Sequence, residues 1–134
     1  MNRRSFLSAV AGFAAVAAVA GPALAVFKPV AYSPDKLKAL QDSGKTVLLD
    51  FYADWCSTCR TQERVLESLT STGAYSDITI MRVDWDTFRS SQIVRDLNIP
   101  RRSTLVLLKG DKELGRVVAQ TSEGSIKGLL DKAA

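Results

Sequence analysis

Cys56 and Cys59 are the only cysteines in a chain of 134 residues, and two residues separate them. Thiols at that spacing can exchange with a disulfide, hold a soft metal ion, close a small structural loop or sit reduced in a core. The surrounding stretch, T-V-L-L-D-F-Y-A-D-W-C-S-T-C-R from Thr46 to Arg60, runs from an uncharged strand-forming segment through a break at Ala53-Asp54-Trp55 into a helical pattern that begins at Cys56. The first turn of a helix offers unpaired backbone N–H groups and a partial positive charge, both of which favour thiolate over thiol. Cys56 is therefore expected to be nucleophilic near neutral pH. Cys59, one turn along on the same side, is placed to attack a disulfide formed at Cys56 and to release what was bound there.

The competing readings have specific weaknesses. A disulfide closing so short a loop removes little entropy from the unfolded chain. A structural zinc ion needs four ligands, and the chain has no histidine and no third cysteine. Two reduced core cysteines stay open as an alternative, although Trp55 directly before the pair and the strand-to-helix junction speak against it.

D-F-Y-A-D-W-C-x-x-C-R resembles the active-site segment of the thioredoxin family, and Y-A-D-W-C is especially similar to the C-terminal thioredoxin-like domain of the membrane thiol reductase DsbD. The resemblance implies a redox-active disulfide between Cys56 and Cys59 in the oxidised form. It also puts Asp50, six residues before Cys56, in the place of the family's buried acid. A carboxylate in an apolar strand is costly to ionise, which suits Asp50 to exchanging a proton with Cys59. The alternative is that it caps or bridges a neighbouring element. Arg82 aligns with the family's lysine near that acid and is expected to keep Asp50 more ionised. Ser57 and Thr58 stand where the family has Gly and Pro, so the direction of electron flow is open from these two residues. Trp55 is expected beside the thiols, shaping the docking surface, with a core tryptophan as the alternative. Arg60 is expected to be solvated.

Aligning L-N-I-P-R-R-S-T-L-V-L-L-K with the same pattern puts Ser103 where the family has a cis-proline, whose backbone bonds an extended substrate segment by strand addition. Trp55, Arg102, Ser103 and Thr104 then form the expected substrate-contacting set. A second register would make Ile99–Pro100 the cis bond. A cis Arg102–Ser103 bond would cost ~2.5–4 kcal/mol, so a trans or strained bond is expected. Loss of the proline ring is also expected to uncover the sulfurs, admitting a metal ion or a cluster shared between chains. Arg101 and Arg102 would flank that opening and select an acidic partner, or else be solvated.

The elements that must position these residues follow in order. An extended lead-in over 26–32 precedes a helix capped by Ser33, with Pro34 at its first position, running to about Asp42 with Leu37 and Leu40 inward. A buried strand over 46–52 leads to the cysteine helix, with Cys59, Val65, Leu66 and Leu69 inward and Gln62, Glu63, Arg64 and Glu67 largely outward. A strand over 78–83, a helix over 88–97, a hairpin of strands 104–109 and 113–119 turning at Gly110-Asp111, and a last helix capped by Ser122 complete the chain. This order predicts an α/β fold, a three-layer α/β/α sandwich with a central mixed sheet, and it matches the thioredoxin fold over residues 26–134.

Residues 1–25 read as an export signal: basic Asn2-Arg3-Arg4, an apolar run from Phe6 to Ala20, and Ala23-Leu24-Ala25 as cleavage site. Asn-Arg-Arg-Ser-Phe-Leu resembles the twin-arginine consensus, with Sec export as the alternative. An uncleaved anchor is a third reading, since Ser5 to Phe27 carries no charge and is long enough to span a bilayer. Two of the formal net charges of +4 are Arg3 and Arg4, leaving +2 on the remainder, too little to suggest nucleic acid.

The expected protein is thus a periplasmic monomer, a thiol–disulfide oxidoreductase acting as a protein-disulfide reductase without a cofactor. The DsbD resemblance implies extracytoplasmic protein disulfides as substrates and a membrane thiol donor of the DsbD/CcdA type. The alternatives are a copper(I)-handling module, which would lack the histidine of thioredoxin-like copper chaperones, and a disulfide oxidase, which would lack the helical insertion of the DsbA type.

Overall fold

The computed structural model describes residues 27–134 together with Gly12, Ala14 and Ala15. The rest of the expected leader lies outside the described residues. Among the described residues, no helix is long and apolar enough to cross a membrane.

Ser33 is extended and its Oγ accepts the Lys36 N–H at 3.1 Å, with Pro34 at the first helical position, so α1 (Pro34–Asp42) starts where its free N–H groups find a partner. Gly44 then takes a left-handed φ of +70°, which turns the chain into β2. All seven residues of β2 (Thr46–Tyr52) are buried. It runs parallel to β3 (Ile78–Asp84) on one side and antiparallel to β4 (Thr104–Lys109) on the other. The mixed sheet has the order β1-β3-β2-β4-β5, with β1 (Val30–Ala31) and β5 (Lys112–Val118) at its edges. The expected three-layer fold is therefore present.

Alternation along β2 decides which residues meet the cysteine helix. Val47, Leu49 and Phe51 pack with Leu37, Met81, Val83, Val106 and Leu108, on the side covered by α1. Leu48 points the other way, into a cluster with Leu66 and Leu69 of α2 (Ser57–Thr70) and Ile126, Leu129 and Leu130 of α5 (Glu123–Leu130). Asp50 and Tyr52 share the parity of Leu48 and so face α2.

Between β3 and β4 the expected helix over 88–97 is two short ones, α3 (Trp85–Phe88) and α4 (Gln92–Asp96). The break comes at serine. Ser91 is extended at the N-cap position of α4 and makes no side-chain cap bond; its N–H and its hydroxyl both donate to the Phe88 carbonyl, the hydroxyl being the local alternative to helix that serine offers. The α2 face also differs from expectation: Gln62 is buried and Glu63 is half-buried, both having been read as outward.

Leu66 is fully buried between sheet and α5. Leu66→Ala is expected to lower unfolding stability by about 2–5 kcal/mol in urea titration, with no loss of thiol count.

Candidate active site

The chain leaves β2 at Tyr52, and Ala53 is fully buried against the first turn of α2. The Cys56 N–H bonds the Ala53 carbonyl at 3.1 Å, which holds Cys56 at the N-cap in an extended conformation. Its Sγ accepts the Cys59 N–H at 3.2 Å. Sulfur thus fills the role that a serine or aspartate oxygen has at most helix starts. Both cysteines are reduced and buried, Cys56 at 3% exposure and Cys59 at 1%.

The third wall is the turn before β4. Ser103 is fully buried, with its Oγ 3.2 Å from the Cys56 sulfur and 3.1 Å from that of Cys59. No peptide bond is cis among the described residues, so neither Arg102–Ser103 nor Ile99–Pro100 is. Strain appears instead as a left-handed φ of +62° at Ser103, costing ~1–3 kcal/mol for a residue with a Cβ. The Ser103 N–H bonds the Phe51 carbonyl at 2.8 Å, and its own carbonyl accepts the Ala119 N–H at 2.9 Å and Gln62 Nε2 at 3.0 Å.

Those bonds correct two expectations. Ser103 has no free backbone group for an incoming strand, and its hydroxyl covers the sulfurs rather than uncovering them. Among the described residues, no three or more His, Cys, Asp or Glu side chains gather as a metal site. Thr104 is likewise fully buried, its Oγ1 donating to the Arg101 carbonyl at 2.7 Å, so it does not face an approaching substrate.

Trp55 faces outward, and Arg102 is half-buried against it. Trp55 is 56% exposed, its Nε1 donating to the Asp86 carboxylate at 3.0 Å, and the Arg102 guanidinium lies 4.5 Å from the centre of its ring. Arg60 is exposed, as expected, and Nη1 reaches the Asp54 carbonyl at 3.0 Å.

Asp50 is buried on the face of β2 turned towards α2, near enough to feel the Cys56 charge, and neither oxygen has a hydrogen-bond partner. Arg82 Nε stands 3.8 Å from Oδ2, too far for a hydrogen bond, because the guanidinium bonds Glu63 at 2.8 Å and stacks over Tyr52 at 3.8 Å. Tyr52 donates its hydroxyl to the other Glu63 oxygen at 3.0 Å. Burial raises the Asp50 pKa to about 7, against the pull of Arg82 and with the help of the Glu63 and Cys56 charges. Arg82 pulls Asp50 towards the ionised form, as expected, but Glu63 holds its guanidinium and burial outweighs that pull.

The two thiols are driven apart. Burial pushes Cys56 up, but bonds from the Cys59 thiol, the Ser103 hydroxyl, the Cys59 N–H and Arg102 outweigh it and bring the group down to about 7. Burial and the bond to Cys56 raise Cys59, with Ser103 opposing. At neutral pH the thiolate is therefore favoured at Cys56 and the thiol at Cys59.

Gln62, Glu63 and Tyr52 are neighbours of the site whose contacts sequence reading missed. A signal was present: 59, 62, 66 and 69 follow helical spacing, so a glutamine in that row should be buried and bonded.

A buried dithiol at a helix N-cap, near a raised carboxyl and at the C-terminal end of a central strand, defines a thioredoxin-type thiol–disulfide centre. The family model for thioredoxin matches residues 32–132, and the chain belongs to the thioredoxin family. It is 34% identical over 86 residues to thioredoxin of Chlamydia trachomatis, covering 64% of this chain and 80% of that one. To thioredoxin H2-1 of Oryza sativa it is 31% identical over 94 residues, 70% of this chain but only 62% of the rice protein's length. Among solved structures, Trxlp from Edwardsiella tarda superposes with a TM-score of 0.68 at 33% identity, covering 75% of this chain and 97% of that one.

Two outcomes follow for the buried acid. A carboxyl raised from 3.8 to about 7 binds its proton more tightly when folded, so stability falls as pH rises between those values, by roughly 4 kcal/mol in all, and then levels off. Asp50→Asn should abolish that slope in urea titrations across pH. Glu63→Gln removes one negative neighbour and frees Arg82, so carboxyl NMR titration should find Asp50 moved down towards the ordinary carboxylate range.

Proposed function

We propose that the protein is a thiol–disulfide oxidoreductase that works as a protein-disulfide reductase. The observation that carries this reading is the dithiol at the start of α2, where the Cys56 sulfur accepts the Cys59 N–H at 3.2 Å and so is favoured as the thiolate. A Cys56 pKa of about 7 supplies thiolate at neutral pH without the extreme stabilisation of the dithiol that makes a strong oxidant, whose thiol titrates near ~3.5. The Cys56 thiolate attacks one sulfur of a substrate disulfide; a new S–S bond forms at Cys56, and the other substrate sulfur leaves as a thiolate that takes a proton from water. Asp50 accepts the proton of Cys59. The Cys59 thiolate then attacks Cys56 Sγ, forming the intramolecular disulfide and releasing the second substrate thiolate. Two electrons pass from the dithiol to the substrate.

Exposed Trp55 and the half-buried Arg102 stacked on it are the docking surface in this reading. The signal-like residues 1–25 support export, and the Y-A-D-W-C segment supports a role like that of the DsbD C-terminal domain. The protein would then act in the periplasm as a monomer on extracytoplasmic protein disulfides and be recharged by a membrane thiol donor of the DsbD/CcdA type.

Reduction of insulin by the dithiol form should be stoichiometric. Cys59→Ser should trap a mixed disulfide through Cys56, seen by mass spectrometry as an added insulin chain that dithiothreitol removes. Cys56→Ser should trap none. Adducts of equal yield in both variants would contradict the assigned roles.

A further inference from the structure

Ser103 is costly where it stands. Its left-handed backbone suits glycine, yet a side chain is kept there and is fully buried. Three hydrogen bonds hold that backbone in place, from its N–H to Phe51 and to its carbonyl from Ala119 and Gln62. Gln62 Nε2 also bonds the Gln120 carbonyl at 2.9 Å, which ties the turn before β4 to the end of β5. What this clamp holds in place is a hydroxyl nearly equidistant from two sulfurs, 3.2 and 3.1 Å.

A hydroxyl has one proton to donate and lone pairs with which to accept. In the resting dithiol it can accept the Cys59 S–H while donating to the Cys56 thiolate. The Cys59 sulfur also has the Phe51 carbonyl at the limiting distance of 4.0 Å, which cannot stabilise a thiolate, and the Ala53 backbone, which lowers its pKa as Ser103 does. When Cys59 becomes the anion, Ser103 is the side-chain donor within reach, and it can turn to either sulfur where a backbone N–H cannot.

We propose that Ser103 is a catalytic residue of this dithiol, its hydroxyl donating to the Cys56 thiolate at rest and rotating to the Cys59 thiolate once the mixed disulfide has formed. The role rests on the exchange reading above and adds to it the group that follows the negative charge. Before attack the charge is on Cys56. Formation of the Cys56–substrate bond makes that sulfur neutral and frees the Ser103 proton. Deprotonation of Cys59 to Asp50 puts the charge on the second sulfur, 3.1 Å from the same oxygen. One bond rotation moves the O–H to it, and attack on Cys56 then completes the disulfide. Ser103 neither gains nor loses a proton, and the electron count is that of the dithiol alone. The direction of its influence agrees: the hydroxyl lowers the pKa of both thiols, against burial, which raises each.

The test compares the full chain with Ser103→Ala and Ser103→Gly. Both remove the hydroxyl, while glycine relieves the strained φ and is expected to unfold at a urea concentration no lower than the alanine variant does. Thiolate absorbance against pH should show Cys56 titrating about one unit higher in both variants, with about tenfold slower alkylation below the pKa. The mixed disulfide formed with a small aromatic disulfide, acid-quenched and counted by mass spectrometry, should persist about tenfold longer in both. Parent-like titration in the folded glycine variant would overturn the proposal. So would a shifted titration with an unchanged lifetime, since the hydroxyl would then serve only the resting thiolate. If the parent itself never passed through a mixed disulfide, the exchange reading would fail and this role with it.

Discussion

The Cys59 N–H donated to the Cys56 sulfur is the contact around which the site is arranged. It exists because a fully buried central strand ends at Tyr52 and a helix begins five residues later. The helix brings unpaired donors, and the strand fixes where they point. With sulfur as cap, helix stability and thiolate stability become one quantity: whatever lengthens that bond raises the Cys56 pKa and loosens the first turn of α2. Trp55, Arg102 and Ser103 take their places relative to this cap.

Near the cap, the fold manages charge by withholding partners. Asp50 has an arginine within 3.8 Å and still no hydrogen bond, because Glu63 and the Tyr52 ring occupy that guanidinium. A fully paired Asp50 would be a permanent carboxylate and a poor carrier of protons near neutral pH. A partnerless one in a wholly apolar pocket would stay protonated. The Glu63–Arg82–Tyr52 cluster holds it between those limits, at about 7. The stability given up at Asp50 and in the backbone of Ser103 is supported by the two apolar clusters on either face of the sheet.

The strands, α1, the cysteine helix and the last helix were legible in the sequence because each carries a local signal: Ser33 before Pro34, the run from Thr46 to Tyr52, Gly110-Asp111 between two apolar segments. The Cys56–Cys59 pair was legible from its spacing at a strand-to-helix junction, and Asp50 from the family resemblance together with the cost of an acid in an apolar strand. What the sequence hid was mostly contact across distance. Glu63 looked like a surface glutamate until β3 brought Arg82 beside it, and Ser91 broke a helix that periodicity alone would have continued. Ser103 was placed correctly opposite the sulfurs, but its consequence was misjudged, since nothing local announces a left-handed serine whose hydroxyl turns inward.

The most direct test of the account is the reduction potential of the Cys56/Cys59 pair in the full chain, measured by equilibration with dithiothreitol and glutathione buffers in the absence of metal. A reductant with a moderately lowered Cys56 predicts a single intramolecular disulfide with a potential near or below about −270 mV. A value near about −120 mV would mark an oxidant and contradict the assigned direction, and failure to form the disulfide at any ratio of thiol to disulfide would contradict the exchange mechanism itself.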